Sequence, residues 1–342
     1  MPCIYCSSPE EASVSHIIPE SLGGSLTLKP GVCKRCNNEV NREIEQFAQT
    51  KFRVLCCLLG LPGKHTAVPP PLDTEVTLGN LTGNIRLYRP SDIDAARLVL
   101  REGRGARGRA NRIVFIASTA EELEAHTARF RQKHPHAVPE EIDLAHLGKS
   151  LEYRVVFDAG YLADQRCLRL AAKIALEWRA HRRGLEAVIG PDYAEIKSYI
   201  LDGLVSARPP VSIVTDPAIL GLISAPFGFH SILVASDPRS HDLVIYVGLF
   251  SLVHYKVILS ERFRALAKME EMHALNPQTG HLYAPCIRRP LRGVYALAVP
   301  HPSDLVGPST ALRSIEDSLL DKFNSAFGRG GGTPPPIGST PP

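Results

Sequence analysis

Two closely spaced cysteine pairs near the start of the chain limit its possible folds more than any other feature. Cys3 and Cys6 form one C-x-x-C pair, and Cys33 and Cys36 form a second pair after 26 intervening residues. In a cytosolic protein this spacing indicates a metal site rather than disulfides. Four thiolates complete a closed tetrahedral zinc site, which would stabilise a module too small to build a large hydrophobic core.

The remaining composition is typical of a globular protein and excludes a disordered chain. Of 342 residues, 44% are hydrophobic and 22% charged, and the net charge of +4 permits a polyanionic partner without requiring one. The first residues lack the layout of a signal peptide, and the most apolar stretch, Leu243 to Leu259, is interrupted by His254 and Lys256. We therefore expect a soluble, cytoplasmic protein without a membrane-spanning segment.

Hydropathy patterns predict an α+β protein in which a small zinc module precedes a larger mixed α/β region. Helices are expected over 38–52, 120–134, 162–183 and 193–201, and strands within 67–118 and 211–260. A mobile basic loop is expected over 101–112. The predicted domains are 1–60 (zinc module), 61–155 (β-rich segment with the basic loop), 156–305 (α+β domain) and 306–342 (tail, disordered from about 328).

A specific motif lies between and after the cysteine pairs. The run His16-Ile17-Ile18-Pro19 is followed by Leu22-Gly23-Gly24, and Asn37 and Asn38 come directly after the last cysteine. Over about the first 50 residues the chain resembles the HNH endonucleases, in the branch with the pattern C-x-x-C, H-I-I-P-x-x-L-G-G, C-x-x-C-N-N. The resemblance implies a ββα-metal module, similar to a treble clef, in which a hairpin and a helix hold a catalytic divalent ion. It implies hydrolysis of phosphodiester bonds in DNA, with RNA left open.

The same resemblance implies roles for individual residues. His16 matches the general base that activates water, and Asn37 matches a ligand of the catalytic Mg²⁺ or Mn²⁺. Asn41 lies one helical turn after Asn37 and is a second candidate ligand.

One position departs from the family pattern. An Asp or Glu that ligates the ion usually precedes the base, whereas this chain has Ser15, a poorer ligand for a hard cation. Either another carboxylate helps to hold the ion, or the site cleaves weakly or not at all. The candidate carboxylates are Glu20, Glu39 and Glu43.

Simpler interpretations of these residues remain open. His16 could be a structural histidine, and Asn37 and Asn38 could cap the helix. Basic residues could contact phosphate, or could belong to an exposed turn and a solvated loop. The candidate nucleic-acid contacts are Lys34, Arg35, Arg104, Arg107 and Arg109.

Three functions are compatible with the sequence. We expect a metal-dependent HNH-type DNA endonuclease, whose larger region selects or senses a target in restriction or phage defence. The alternative is a catalytically weakened zinc-finger adaptor that binds nucleic acid or protein. A third possibility is an unrecognised enzyme within 150–300, although this region shows no nucleophile–base pair and no phosphate loop.

Overall fold

A computed structural model describes residues 2–63, 69, 72–78, 81–87, 97–104, 110–117, 120–133, 135, 139–142, 152–153, 159–205, 208–223, 225–237, 242–260 and 271–283. The chain divides into two units, one formed by Met1–Thr50 together with Asp158–Pro342 and the other by Lys51–Phe157. The predicted tail, 306–342, lies outside the described residues, and the predicted domain boundaries stay predictions.

The first unit begins with a hairpin followed by a helix. Its elements are β1 (Ala12–His16), a 3₁₀ turn (Glu20–Leu22), β2 (Thr27–Cys33), α1 (Lys34–Val40), a π-helical turn (Asn41–Glu45) and α2 (Gln46–Lys51). β1 and β2 are antiparallel, with His16 opposite Thr27. The helical segment buries Val40, Ile44 and Ala48, which share one face because they are four residues apart. The expected ββα order is therefore confirmed.

The second unit contains a mixed sheet with strand order β7-β5-β6-β4-β3-β8. Its elements are α3 (Arg53–Leu58), β3 (Leu72–Leu78), β4 (Leu81–Leu87), β5 (Arg97–Arg104), β6 (Ala110–Ala117), α4 (Ala120–Lys133), β7 (Pro139–Ile142) and β8 (Glu152–Tyr153). The strands expected within 67–118 and the helix expected over 120–134 are found as β3 to β6 and α4.

The expected basic loop over 101–112 is wrong in its extent. β5 and β6 form an antiparallel pair in which Arg101 lies opposite Ile113 and Arg104 opposite Ala110. The ladder begins at the pair Arg97 and Ala117 and continues into the Arg- and Gly-rich sequence. Arg107 and Arg109 lie outside the described residues.

The C-terminal part of the first unit is an antiparallel sheet with associated helices, and its strand order is β14-β13-β10-β11-β12-β9. Its elements are a 3₁₀ turn (Ala159–Ala163), α5 (Gln165–Arg183), α6 (Glu186–Ile189), a 3₁₀ turn (Pro191–Tyr193), α7 (Ala194–Asp202), β9 (Val211–Ile213), α8 (Pro217–Ile223), β10 (His230–Asp237), β11 (Asp242–Leu249), β12 (Val253–Ser260), β13 (Glu271–Leu275) and β14 (Leu282–Tyr283). The sequence analysis did not predict α6, α8, β13 or β14.

Both faces of this sheet are covered. α8 packs on one face, where Ile219 and Ile223 contact a cluster that includes Leu233 and Tyr246. α5 contacts the strands from the other side, and there the Tyr255 hydroxyl donates to the Leu162 carbonyl at 3.0 Å. Every residue of β11 is buried, because neither face is open to solvent. The apolar stretch from Leu243 to Leu259 is thus the central hairpin of a covered sheet. No helix in the described part of the chain has the length and apolar character needed to cross a membrane.

The N-terminal ββα segment packs on the same sheet face as α5. The ring of His230, on β10, hydrogen bonds with the Leu22 carbonyl at 2.8 Å. Ser25 Oγ donates to the Gly280 carbonyl at 2.9 Å. The segment that contains His16 is thus part of the core of this unit.

Candidate functional site

The four cysteines form one cluster. Their sulfur atoms all lie within 4.8 Å of one another, and the Sγ atoms of Cys6 and Cys33 are 3.7 Å apart. Sulfurs around a tetrahedral zinc ion are separated by about 3.8 Å, given zinc–sulfur bonds of about 2.3 Å. The spacing and the donor type therefore fit a structural zinc ion, as the sequence predicts.

Local backbone structure brings the two pairs together. Cys3 and Cys6 lie in a turn in which the Ser7 N–H donates to the Cys3 carbonyl at 2.8 Å. Cys33 ends β2 and is the N-cap of α1, and its Sγ accepts the Cys36 N–H at 3.5 Å. Capping by Asn37, the simpler interpretation of this residue, is therefore wrong.

The chemistry of the cluster favours a bound cation. Burial raises the pKa of the Cys36 thiol, and contacts with the neighbouring Cys33 and Cys6 thiols raise it further. Several thiolates in so small a volume are stable together only around a positive charge, which a zinc ion supplies.

His16 is the last residue of β1 and lies on the side of the strand opposite Ser15. Ser15 is buried, with 1% of its surface exposed, whereas His16 is half-buried. Because successive side chains of a strand point to opposite faces, the His16 ring points away from the interior. The ring has no hydrogen-bond partner among the described residues, so its nitrogens are available to a substrate or a water molecule.

Asn37 connects α1 to the strand that carries His16. Its Nδ2 donates to the Val14 carbonyl at 3.0 Å, at the point where the β1–β2 register shifts between Ser13 and Ser15. This bond leaves the carboxamide oxygen of Asn37 as the group available to a cation. Asn37 and the backbone two residues before His16 are therefore in direct contact, as a shared site requires.

Comparison with known families agrees with this geometry. The family model for HNH endonucleases matches residues 3–53. Residues 3–53 are therefore similar to an HNH endonuclease module, and this stretch is called the HNH module below. No curated protein and no solved structure matches the chain.

Asn41, the second candidate ligand of the HNH module, is the first residue of the π-helical turn. It is half-exposed, and its N–H is shared by the carbonyls of Asn37 and Asn38. Asn37 and Asn41 are thus on successive turns of one continuous helix, where side chains four residues apart are neighbours.

The carboxylates of the HNH module do not form a cluster with His16. In the part of the chain that the structure describes, only the four cysteines form a group of three or more His, Cys, Asp or Glu ligands close enough to hold a metal ion. Glu43, one of the candidate carboxylates, is paired with Arg42 at 2.7 Å. Around His16, the described residues thus include the amide side chain of Asn37 and no cluster of carboxylates.

Behind β1 lies a buried charged cluster that the sequence analysis missed. Lys173 and Glu177, one turn apart on α5, are both fully buried and lie 3.1 Å apart. Glu177 accepts the Ser15 hydroxyl at 2.9 Å and the Tyr5 hydroxyl at 2.8 Å. Lys173 also pairs with Glu45 at 3.0 Å. We call these five residues the α5 cluster.

Electrostatics keep Lys173 charged in the α5 cluster. Burial lowers the pKa of its ammonium group, but the carboxylates of Glu177 and Glu45 outweigh this, and the pKa lies above its usual value. The ammonium also donates to the backbone carbonyls of His16 and, at 3.2 Å, of Ile17. A sequence signal did exist, because a Lys and a Glu four residues apart interrupt the apolar stretch from Leu170 to Trp178.

The candidate nucleic-acid contacts have different surroundings. Lys34 and Arg35 are exposed between the second pair of cysteines, and Arg35 pairs with Glu10 at 3.6 Å on the surface. Arg104 is the last residue of β5, in the second unit. Their roles stay predictions.

Proposed function

We propose that this protein is a metal-dependent DNA endonuclease of the HNH type. The observation that carries the proposal is the arrangement of β1. The strand places Ser15 against the α5 cluster and turns His16 outward, on the strand whose backbone Asn37 contacts from α1.

In the proposed reaction, His16 is the general base. An imidazole can take a proton from water near neutral pH, as the attack on a phosphodiester requires. The His16 ring is half-buried and has no partner in the described ranges, so it can reach both solvent and substrate. Exposed Lys34 and Arg35 would bind backbone phosphates beside the zinc ligands.

Asn37, with Asn41, would hold a Mg²⁺ or Mn²⁺ ion through its amide oxygen, a ligand type that suits both cations. A bound divalent ion supplies charge stabilisation for the phosphate and the departing 3′ oxygen. Because these ligands are neutral, most of the negative charge must come from the DNA phosphate. We therefore propose that the ion binds weakly until DNA is present.

Plasmid nicking in Mg²⁺ or Mn²⁺ tests the proposal. We expect His16→Ala to reduce the nicking rate by roughly 10²-fold or more, the usual size of a general-base contribution. His181→Ala is the matched control, since it removes an exposed histidine from the end of α5 and should nick at the wild-type rate. Equal nicking by wild type and His16→Ala would refute the assignment.

A second function is favoured by one observation. Ser15 faces inward, and no carboxylate cluster lies beside His16 within the described residues, which also fits an adaptor that binds nucleic acid without cleaving it. DNA that is shifted in a gel but never nicked, at any concentration of Mg²⁺ or Mn²⁺, would favour the adaptor. If cleavage is found, comparing modified with unmodified plasmid would test the proposed role in restriction or phage defence.

A further inference from the structure

Three consecutive residues, the last two of β1 and the residue that follows them, are held from one turn of α5. Glu177 accepts the Ser15 hydroxyl, with both carboxylate oxygens at 2.9 Å. Lys173 donates to the carbonyls of His16 and Ile17. These contacts link residues more than 150 positions apart in the chain, and none of them involves the imidazole ring itself.

We propose that Lys173 and Glu177 are positioning residues for the base, and that Ser15 is the hydroxyl through which α5 orients the strand. This inference rests on the proposed nuclease function of His16. Ser15 would then orient β1 through its hydrogen bond to Glu177, where the family pattern has a metal ligand.

These contacts fix the backbone conformation around His16, which determines the direction of its ring. The bonds to the carbonyls of residues 16 and 17 orient the peptide planes on the C-terminal side of His16. The bond to the Ser15 hydroxyl keeps the preceding side chain on the inner face of β1. On the N-terminal side, the Asn37 amide holds the Val14 carbonyl. His16 is thus clamped on both sides by groups that leave its ring open.

The alternative is that the α5 cluster serves stability alone. Burying an ammonium and two carboxylates is an inefficient way to stabilise a fold, since apolar residues of similar volume do as well or better. Once formed, however, such a cluster is costly to break, because every departure leaves a buried charge unpaired. That property suits the fixing of a strand end, where small displacements of a catalytic group lower the rate strongly.

A matched pair of variants separates the two roles. Tyr5→Phe and Ser15→Ala each remove one hydroxyl donor from Glu177, but only Ser15 belongs to β1. We expect Ser15→Ala to lower kcat for plasmid nicking by roughly 10-fold or more with little change in KM, and Tyr5→Phe to leave both unchanged. Ser15→Thr, which keeps the hydroxyl, should restore kcat. Equal kcat values for Tyr5→Phe, Ser15→Ala and wild type would overturn the proposal.

A measurement without substrate separates this proposal from the nuclease assignment. Lys173→Met combined with Glu177→Gln removes the fully buried pair together, and the remaining carboxylate, Glu45, is 16% exposed and can be solvated. With zinc content and circular dichroism unchanged, we expect the NMR signals of the His16 ring to shift and the amides of residues 16 and 17 to exchange faster. If the double variant does not fold, the same signals are compared in Ser15→Ala and Tyr5→Phe. Unshifted signals overturn the positioning role, whereas shifted signals without nicking in any variant refute only the nuclease function.

Discussion

The Nε2 atom of His230 lies 2.8 Å from the backbone oxygen of Leu22, so a strand of the C-terminal sheet holds the turn that follows the HNH base strand. The other ring nitrogen, Nδ1, accepts the Phe250 N–H at 3.3 Å. With Nδ1 an acceptor, the proton of the neutral ring is on Nε2, which donates to Leu22. The HNH module is therefore held on the sheet by an uncharged imidazole in a fully buried position.

This arrangement predicts a loss of stability in mild acid. Burial lowers the pKa of His230 from 6.5 to about 4. The unfolded chain then binds a proton that the folded chain does not, so stability is complete above pH 6.5 and falls as the pH drops toward 4. In urea unfolding, titration of this residue should lower the free energy of unfolding by about 2 kcal/mol between pH 7 and pH 5.

His230→Gln is the control for that measurement, because an amide can replace the donor without titrating. The free energy of unfolding of the variant should be lower than that of wild type at pH 7. The two values should be closer at pH 5, because only the wild type loses stability through this residue. A constant difference across this range would contradict the assigned neutral state.

A second prediction concerns the cysteine cluster. Elemental analysis should find one zinc ion bound by the four thiolates, and its removal by a strong chelator should lower the Tm markedly. The reason is that zinc binding supplies folding free energy, roughly 10 kcal/mol in isolated zinc fingers, and the module it folds is part of the core of the first unit. Cys36→Ser should abolish zinc binding, while Cys57→Ala, which removes a buried thiol outside the cluster, should retain it. Full zinc content in Cys36→Ser would contradict the ligand set.

The local part of the site could be predicted from sequence, because its determinants are close together in the chain. The spacing of Cys33 and Cys36 indicates a metal knuckle, and the helix expected from residue 38 follows it, although α1 begins four residues earlier, at Lys34. The α5 cluster could not be found in this way, since the Ser15–Glu177 contact joins residues 162 positions apart. Periodicity describes which face of an element is apolar; it does not state which distant helix covers that face.

The basic segment over 101–112 was predicted to be a loop, but part of it belongs to the β5–β6 strand pair. Its arginines and glycines lack the alternation of a strand, and composition alone predicts a loop. The β5–β6 ladder nevertheless extends to the pair Arg104 and Ala110, because its hydrogen bonds join backbone groups, which every one of these residues carries.

A third prediction tests how tightly the turn after His16 is packed. Gly23 has a φ of +83°, and a Cβ built on it would lie 2.7 Å from the Pro277 carbonyl oxygen. Gly23→Ala therefore combines an unfavourable backbone conformation with a clash against backbone, and should lower the free energy of unfolding by roughly 3 kcal/mol. Gly60 has a φ of +64° with no atom within 4 Å of the built Cβ, so Gly60→Ala should cost only about 1 kcal/mol. Equal losses in urea unfolding would show that the Pro277 contact is not restrictive.

The last prediction concerns restoring an acid before the base. Ser15→Asp recreates the residue pair that the sequence resemblance associates with metal binding, yet the side chain at this position faces the buried carboxylate of Glu177, not the open side of β1. Two carboxylates would then compete for the single Lys173 ammonium already shared with Glu45, and one of them would remain buried without a partner. We expect a loss of roughly 3 kcal/mol in urea unfolding and a slower nicking rate, not a faster one. Combining Ser15→Asp with Glu177→Gln replaces the opposing charge with a hydrogen-bonding amide and should recover most of the stability. Faster nicking and tighter Mn²⁺ binding by Ser15→Asp alone would mean that position 15 faces the catalytic ion, and the orientation assigned to β1 would be wrong.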